Sequence, residues 1–549
     1  MGSSHDANQA PPLQDYNLFS TDRALLDFVE RAAPAFDRSE PAVLGELAGD
    51  PAMIAAGFDA DRNPPELQTH DRFGERIDEV RFHPAWHVLM GVATKHGLHG
   101  APWIERSPHA HLQRAVKFFV WSQVEAGHLC PISMTYAAVP ALEHAPTLAP
   151  HWISKLAARE YDPRLLPITQ KASAICGMGM TERQGGSDVR ANETRAARAG
   201  TDGEYVLEGH KWFCSAPMSD AFLVLAQADR GLSCFLVPRV LPDGTRNPFA
   251  LQRLKDKLGN RSNASSEVEF TGTHGWIVGE EGRGVQTIVD MVNGTRLDCV
   301  IGSAALLRAA LAQAIHHATY RKTFGAALID HGLMQNVLAD LALESEAATA
   351  LFVRLARAAD EAPRDAQAAA LKRIGTAVAK YYICKRAPAA AAEALECLGG
   401  NGYVEESIIP RLYREAPLNS IWEGCGNINA LDVVRILRKQ PEAVEALIAE
   451  IDPVLGDARL AGVARSLRTD LAEEDVEWRA RALVERMALL WQSSLLLQQA
   501  PEYVSDAFIA SRLEGGSGRT LGTLPIKTTL RAIVDRAAPR EISAASPAR

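Results

Sequence analysis

The chain has 549 residues, 47% of them hydrophobic and 23% charged, with a formal net charge of -9. Such a length exceeds what one hydrophobic core serves, so two to four domains are expected, and the composition is that of a globular protein. The acidic balance gives no general attraction to nucleic acid, and no apolar run approaches the ~20 residues of a membrane span. The polar start, Met1 to Gln14, lacks the apolar stretch of a secretory signal, and the eight cysteines are scattered without a close pair. A cytoplasmic protein with reduced thiols, no zinc site and no membrane association is expected.

From Ser20 to about Ala172 apolar residues recur at spacings of three and four, as in Ala24, Leu25, Phe28 and Val29, which predicts helices. Asn63-Pro-Pro65 and the stretch Arg81 to His87 interrupt them. His83 and His87 stand four apart, but Pro84 lies between them and no third ligand is near, so they read as packed or surface histidines and no metal site is expected. Around Cys176 the pattern shortens. Tyr205–Leu207, Phe222–Leu225, Cys234–Val237 and the alternating Glu267–Phe270 predict strands of a β domain of about a hundred residues. After Gly284 an alanine-rich helical pattern runs from Val285 to about Ala358, broken at Phe324-Gly325, and continues through Lys372–Leu398 and Leu431–Leu437. Long helices joined by short turns imply a bundle. Beyond Pro441 come further amphipathic helices, a Gly515-Gly-Ser-Gly518 linker and a terminal helix. The chain is therefore expected to be mainly α with a central β domain. Its predicted domains are an N-terminal helical domain (1–174), a β domain (175–283), a helical bundle (284–440) and a C-terminal helical domain (441–549).

Two nucleotide signatures are absent, a Gly-Lys-Ser/Thr phosphate loop and a strand-linked G-x-G-x-x-G, which argues against an NTPase or a nicotinamide enzyme. Present instead is Gly177-Met-Gly-Met-Thr-Glu-Arg-Gln-Gly-Gly-Ser-Asp188, a glycine-rich turn carrying Thr181 and Ser187. Such a turn suits a ring system with carbonyls and a pyrophosphate, although an ordinary capped turn looks similar. The stretch Asn419-Ser-Ile-Trp-Glu-Gly-Cys-Gly-Asn427 sets one carboxylate, Glu423, among glycines that let backbone approach a ligand. By residue type alone it reads as a loop before a helix.

The Gly177 turn resembles the first signature of the acyl-CoA dehydrogenase family. Glu396-Cys-Leu-Gly-Gly-Asn-Gly-Tyr403, continuing to Glu415, resembles the second, and Arg321-Lys-Thr-Phe-Gly325 resembles the turn that reaches the flavin of a neighbouring subunit. Asn63-Pro-Pro-Glu-Leu67, Asp78 to His87, Gln123-Val-Glu-Ala-Gly127, Leu254 to Ala264 and Pro410 to Glu415 narrow the likeness to the AidB subgroup, the alkylation-response branch, whose members carry an extra C-terminal helical domain.

The resemblance implies a helical domain, a β-barrel-like domain and a helical bundle with FAD bound between the last two. It assigns FAD contacts to Met180, Thr181, Gly186, Ser187, Phe213, Cys214, Ser215, Arg321, Phe324, Gly400, Ile421, Trp422, Gly424 and Asn427. Ser215 keeps the hydroxyl of the family's Trp-Ile-Thr, whereas Phe213 loses the indole. Glu423 aligns with the catalytic base; the alternative site on the Asn293–Leu297 helix carries no acid before Arg296. Gly332, Cys425 and Asn427 replace a glutamine, a threonine and a glutamine, so looser FAD binding is expected. The likeness further implies a homotetramer, double-stranded DNA and acyl-CoA as partners, and DNA contacts at Arg435, Arg438 and Lys439. From Arg438 to Arg549 there are 15 Lys+Arg against 16 Asp+Glu, so composition only permits DNA binding there, and arginines such as Arg465, Arg468, Arg479, Arg481 and Arg486 either share a face or are simply solvated. Function is thus expected to be that of an AidB-type flavoprotein with at most weak dehydrogenase activity, the alternative being a working dehydrogenase for short or branched thioesters.

Overall fold

The computed structural model describes residues 8–540 apart from 106, 201–202, 472–475 and 528; the polar ends 1–7 and 541–549 lie outside the described residues. Contacts divide the chain into two units, one of residues 1–54, 111–124 and 299–549, the other of 55–110 and 125–298. The four sequence segments are thus not four bodies. The N-terminal helices are shared out between the units, and the segment after Pro441 belongs with the bundle.

In the second unit the strands are β1 (Glu66–His70), β2 (Arg76–Arg81), β3 (Cys176–Gly179), β4 (Arg195–Arg198), β5 (Glu204–Ser215), β6 (Ala221–Ala228), β7 (Gly231–Pro238), β8 (Phe249–Leu254) and β9 (Ser265–Val278). β6 pairs antiparallel with β7 from Ala221↔Pro238 to Ala228↔Gly231 and touches β4 at Arg195↔Gln227. With β4–β5, β5–β9 and β9–β7 this closes a ring, to which β3 adds parallel to β6 and β8 adds to β9. Closure removes the exposed edges an open sheet would present. Inside sit Leu207, Phe222, Val224, Phe235, Val237, Val268 and Phe270, all 2% exposed or less. Aromatic and branched residues on alternate positions supply this core because successive side chains of a strand point to opposite faces.

The helical expectation for the N-terminal region fails at β1 and β2, an antiparallel hairpin in register Glu66↔Arg81. Its inward positions include Asp78, which is 8% exposed, takes a bond from Arg76 Nε (2.8 Å) and accepts from Leu251 N (3.1 Å). His83 caps the Pro84–Lys95 helix by accepting from Ala85 N, and His87 Nδ1 lies 2.8 Å from the Tyr161 hydroxyl. Among the described residues no cluster could hold a metal ion.

The other unit is built on long helices. Gly284–Tyr320 starts within the chain segment of the β unit and ends in this one; Gly332–Glu361, Ala366–Cys397 and Gly426–Lys439 follow. Gly284–Tyr320 is apolar and long enough to meet the composition of a membrane span, against the sequence expectation, yet 89% of that window is buried. It is a core helix. The final helices, Ala480–Gln499, Glu502–Arg512 and Leu530–Ala537, dock onto the same bundle. Trp491, fully buried, lies over Gly375, where a Cβ would stand 2.7 Å from the indole. Buried carboxylates of Gly332–Glu361 receive arginines from the docked helices: Glu344 pairs with Arg512 (2.8 Å) as well as with Arg386 of the bundle helix Ala366–Cys397 (2.8 Å), Asp340 with Arg512, and Glu346 with Arg536 (2.9 Å). A buried carboxylate is tolerated only when paired and hydrogen-bonded, so these ion pairs fix where the helices sit.

Candidate functional site

In the β unit the glycine-rich turn leaves β3 and is drawn back along β5 by Trp212 N, which donates to Thr181 O (2.8 Å). Glu182 pins it from beneath. This residue is 1% exposed, accepts Lys211 Nζ (2.6 Å) and takes the amides of Glu193 (2.6 Å) and Thr194 (3.3 Å). Burial pushes its carboxyl up, but Lys211 and these donors outweigh that and hold it below the usual range. With Glu182 turned inward, Thr181 is half-buried and Gly186 and Ser187 are exposed. A Cβ at Gly186 would meet Thr181 Oγ1 at 2.4 Å, so glycine there keeps the threonine hydroxyl accessible.

At the end of β5, Phe213 is exposed, Cys214 buried and Ser215 half-buried with its Oγ 3.1 Å from Ser265 Oγ. Lys255 Nζ stands 3.7 Å from the centroid of Trp212 and 4.6 Å from that of Phe213, a cation on two aromatic faces. Cys214 corrects the sequence assignment in one respect. Its side chain belongs to the barrel core, and burial pushes the thiol up to about 12, so only its backbone is left to meet a ligand.

In the helical unit the loop before Gly426–Lys439 is organised by side chains the sequence reading passed over. Lys380, 1% exposed in the middle of Ala366–Cys397, donates Nζ to the carbonyls of Asn419 (3.1 Å) and Gly424 (2.8 Å). Asn429 Nδ2 donates to Gly424 O (2.6 Å) and Cys425 O (3.1 Å). Trp422 Nε1 donates to Asn419 Oδ1 (2.9 Å), whose amide donates to Ser303 Oγ (3.1 Å). Held from both ends, Glu423 adopts φ +59 and Gly424 φ +95. The left-handed region costs a non-glycine residue about 1–2 kcal/mol. A strained, half-buried carboxylate kept in place by buried donors is the pattern of a group that must point somewhere particular. Helical periodicity carried a signal for Lys380: it falls on the buried face with Thr376 and Cys384, where a lysine needs a partner.

The remaining assigned residues scatter more widely. Ile421 is exposed and Trp422 half-buried beside Glu423. Gly400 opens the short Gly400–Tyr403 helix after Gly399 at φ +59, and both glycines are exposed. Arg321 donates Nη1 to Asn8 O (2.6 Å), while Phe324 is fully exposed at φ +49 on the turn between the two long helices. Arg435, 65% exposed at its side chain, stands 3.4 Å from Asp432, whose carboxylate already receives Arg373 at 2.7 and 3.0 Å. Arg438 and Lys439 end the helix and carry no carboxylate partner among the described residues. Most of the later arginines are neutralised: Arg468 by Asp452 (2.8 Å), Arg479 and Arg486 by Asp470 (2.5 and 2.6 Å). Arg481 instead faces Asn427.

Each unit by itself carries groups of the kind a flavin dinucleotide uses. The β unit offers the Thr181, Ser187 and Ser215 hydroxyls beside an exposed aromatic ring, and Gly186 leaves the approach open. The helical unit offers a carboxylate loop leading into a helix N-terminus, the end of a helix that favours negative charge.

Comparison with known proteins agrees. Residues 8–163 match the adaptive response protein AidB N-terminal domain, 177–273 the acyl-CoA dehydrogenase middle domain and 282–437 the acyl-CoA dehydrogenase C-terminal domain. The chain is 47% identical to the AidB protein of Escherichia coli (strain K12) over 514 residues, 93% of this chain and 94% of that one. Among solved structures, the apo form of Bd2924 superposes with TM-score 0.82 at 29% identity, covering 90% of this chain and 99% of its own. ACDH-11 of Caenorhabditis elegans, solved with C11-CoA, has TM-score 0.82 at 24% identity and covers 99% and 94%. The chain belongs to the acyl-CoA dehydrogenase family, in its AidB branch, and with that family it is an FAD-dependent acyl-CoA dehydrogenase-like oxidoreductase.

Proposed function

We propose that the chain removes the proton α to the carbonyl of an acyl thioester through Glu423. FAD, when bound, supplies the two-electron acceptor for the hydride that leaves the β-carbon, so the product gains a carbon–carbon double bond. The rest falls to the chain itself. The Glu423 carboxylate takes the proton, and Lys380 and Asn429 keep it aimed by holding the carbonyls that follow and precede it. Trp422, the residue before Glu423, has its indole fixed by Asn419 Oδ1 and adds an apolar ring to the loop, which in this reading helps keep water from competing for the proton. The observation that carries this reading is the left-handed backbone of Glu423, held by a buried lysine. Gly332, Cys425 and Asn427 stand where a glutamine, a threonine and a glutamine are expected, so FAD is held more loosely and turnover is weak in this reading; short or branched acyl groups are the candidate substrates if the chain is a working dehydrogenase. The test mixes purified protein anaerobically with a panel of acyl-CoAs while flavin absorbance is recorded. General-base catalysis contributes about 10²- to 10⁴-fold, so Glu423→Gln loses the reduction by that factor with the flavin still bound. Equal reduction by the Gln variant moves the base elsewhere.

A second reading, association with double-stranded DNA during the response to alkylation, is favoured by Arg438 and Lys439, cations at the end of a helix without carboxylate partners among the described residues. Cations also suit a helix C-terminus without any ligand. Titration of duplex DNA at several salt concentrations separates the two: replacing both residues lowers the slope of log affinity against log salt by about two units if each meets a phosphate. Retention of the full slope, or no binding at low salt, ends the DNA reading. Self-association, as a tetramer, is supported by Phe324, Leu333 and Tyr403, which are 100%, 86% and 81% exposed.

A further inference from the structure

Arg481, an exposed residue, stands beside the loop that follows Glu423. It comes from Ala480–Gln499, a helix of the C-terminal segment, and lies against the start of Gly426–Lys439, the helix that follows the Glu423 loop. Its Nε is 3.3 Å from the Tyr381 hydroxyl, its Nη1 is 3.4 Å from Asn427 Oδ1, and its guanidinium carbon is 6.0 Å from the Tyr381 ring centroid. Lys385 approaches the same ring, 5.9 Å away, and covers Gly426 so closely that a Cβ there would stand 2.9 Å from Nζ and 2.4 Å from Cε. Two cations, one from the bundle and one from the C-terminal segment, thus share one tyrosine at a helix N-terminus. Neither has a carboxylate partner among the described residues. Other arginines of the C-terminal segment do pair with carboxylates: Arg459 has Asp457 and Asp506, Arg512 has Glu344 and Asp340, and Arg536 has Glu346 and Asp27.

We propose that Arg481, with Lys385, holds the diphosphate–adenosine end of FAD, so that the C-terminal segment acts as a clamp on the cofactor. The inference rests on the flavoprotein reading. It also resolves the loss expected at Asn427: the side chain is short, and the guanidinium beside it replaces the polar contact with a longer, charged one. Arginine suits the task because its planar fork meets phosphate oxygens in pairs and stays charged.

The test titrates flavin-free full-length protein with FAD and follows the quenching of flavin fluorescence at several salt concentrations. Arg481→Gln weakens FAD binding about tenfold and flattens its salt dependence, Arg481→Lys restores most of the affinity, and Lys385→Gln weakens binding in the same direction. Thermal unfolding of the flavin-free variants coincides with that of the parent, since no packed core is disturbed. Riboflavin, which lacks phosphate, binds parent and Arg481→Gln alike. CoA carries a diphosphate too and is titrated in parallel; an effect of Arg481→Gln on CoA and none on FAD overturns the assignment. So does unchanged FAD affinity, or a loss that Lys does not rescue and that tracks lower stability of the flavin-free protein. A parent protein that takes up no FAD ends the flavoprotein reading and this one with it.

Discussion

Replacing Lys380 by methionine is the sharpest probe of the Glu423 loop. Methionine has nearly the length of lysine and packs readily, so the perturbation removes the charge and its two bonds and leaves little void. Hydrogen bonds from a charged donor contribute roughly 1.5–3 kcal/mol each, and the left-handed backbone of Glu423 costs about 1–2 kcal/mol. The two bonds to Asn419 O and Gly424 O therefore outweigh the strain, and without them it is no longer balanced. Methionine itself carries no buried charge, which returns part of the loss, so a net destabilisation of about 2–4 kcal/mol is expected. The catalytic effect is expected to be larger than the stability effect implies. A displacement of about 1 Å at a reacting group costs about 10²-fold in rate, so flavin reduction by acyl-CoA falls by that order while the visible flavin spectrum is unchanged. Urea unfolding measures the first quantity and anaerobic stopped-flow the second. A variant that is destabilised but reduces its flavin at the parental rate refutes the claim that Lys380 positions the base.

Three further outcomes follow from the same structure. Glu423→Gly abolishes reduction yet raises stability by about 1 kcal/mol, because glycine adopts φ +59 freely; equal or lower stability in urea would show the loop to be unstrained. At Glu344, burial pushes the carboxyl up, but Arg512 and Arg386 more than offset this and the folded value lies below the unfolded one. Its contribution is present above the unfolded range near ~4.3 and is lost as pH falls through the folded value, so Glu344→Gln costs about 3 kcal/mol at pH 7 and progressively less below about pH 4. A pH-independent difference contradicts that assignment. Phe324→Ser removes a fully exposed aromatic, so sedimentation should show weaker self-association with the monomer fold intact, and an unchanged oligomer would place the interface elsewhere.

What was legible in the sequence is what local pattern determines. The strands with uninterrupted apolar runs, such as Phe222–Leu225 and Cys234–Val237, lie in β6 and β7, and the long alanine-rich periods became the bundle. The hairpin β1–β2 escaped because its inward positions include Asp78, so an alternation that exists in space is hidden in composition. Its one sequence cue was Asp71-Arg-Phe-Gly74, a turn with glycine at φ +89. β3 and β4 are four residues each and carry glycine or charge, too little for a period. At the candidate site the loop itself was readable and its supports were not. Lys380 precedes the carbonyls it holds by 39 and 44 residues, and Glu182 is 29 residues from Lys211. Pairings at such separations are set by tertiary folding. Charge counting likewise found the C-terminal segment neutral but left open which arginines meet which aspartates, and so placed Arg481 among candidates for DNA.

Seven of the eight cysteines are buried, and Cys425, two residues from Glu423, is exposed. Burial also pushes the Cys214, Cys234 and Cys397 thiols up to about 12, which removes the thiolate a reagent needs. Under native conditions a maleimide dye should therefore consume one equivalent per chain, attached beside the base without any engineered residue. That label would give the loop its own fluorescence, a readout of local opening that requires neither substrate nor a flavin signal.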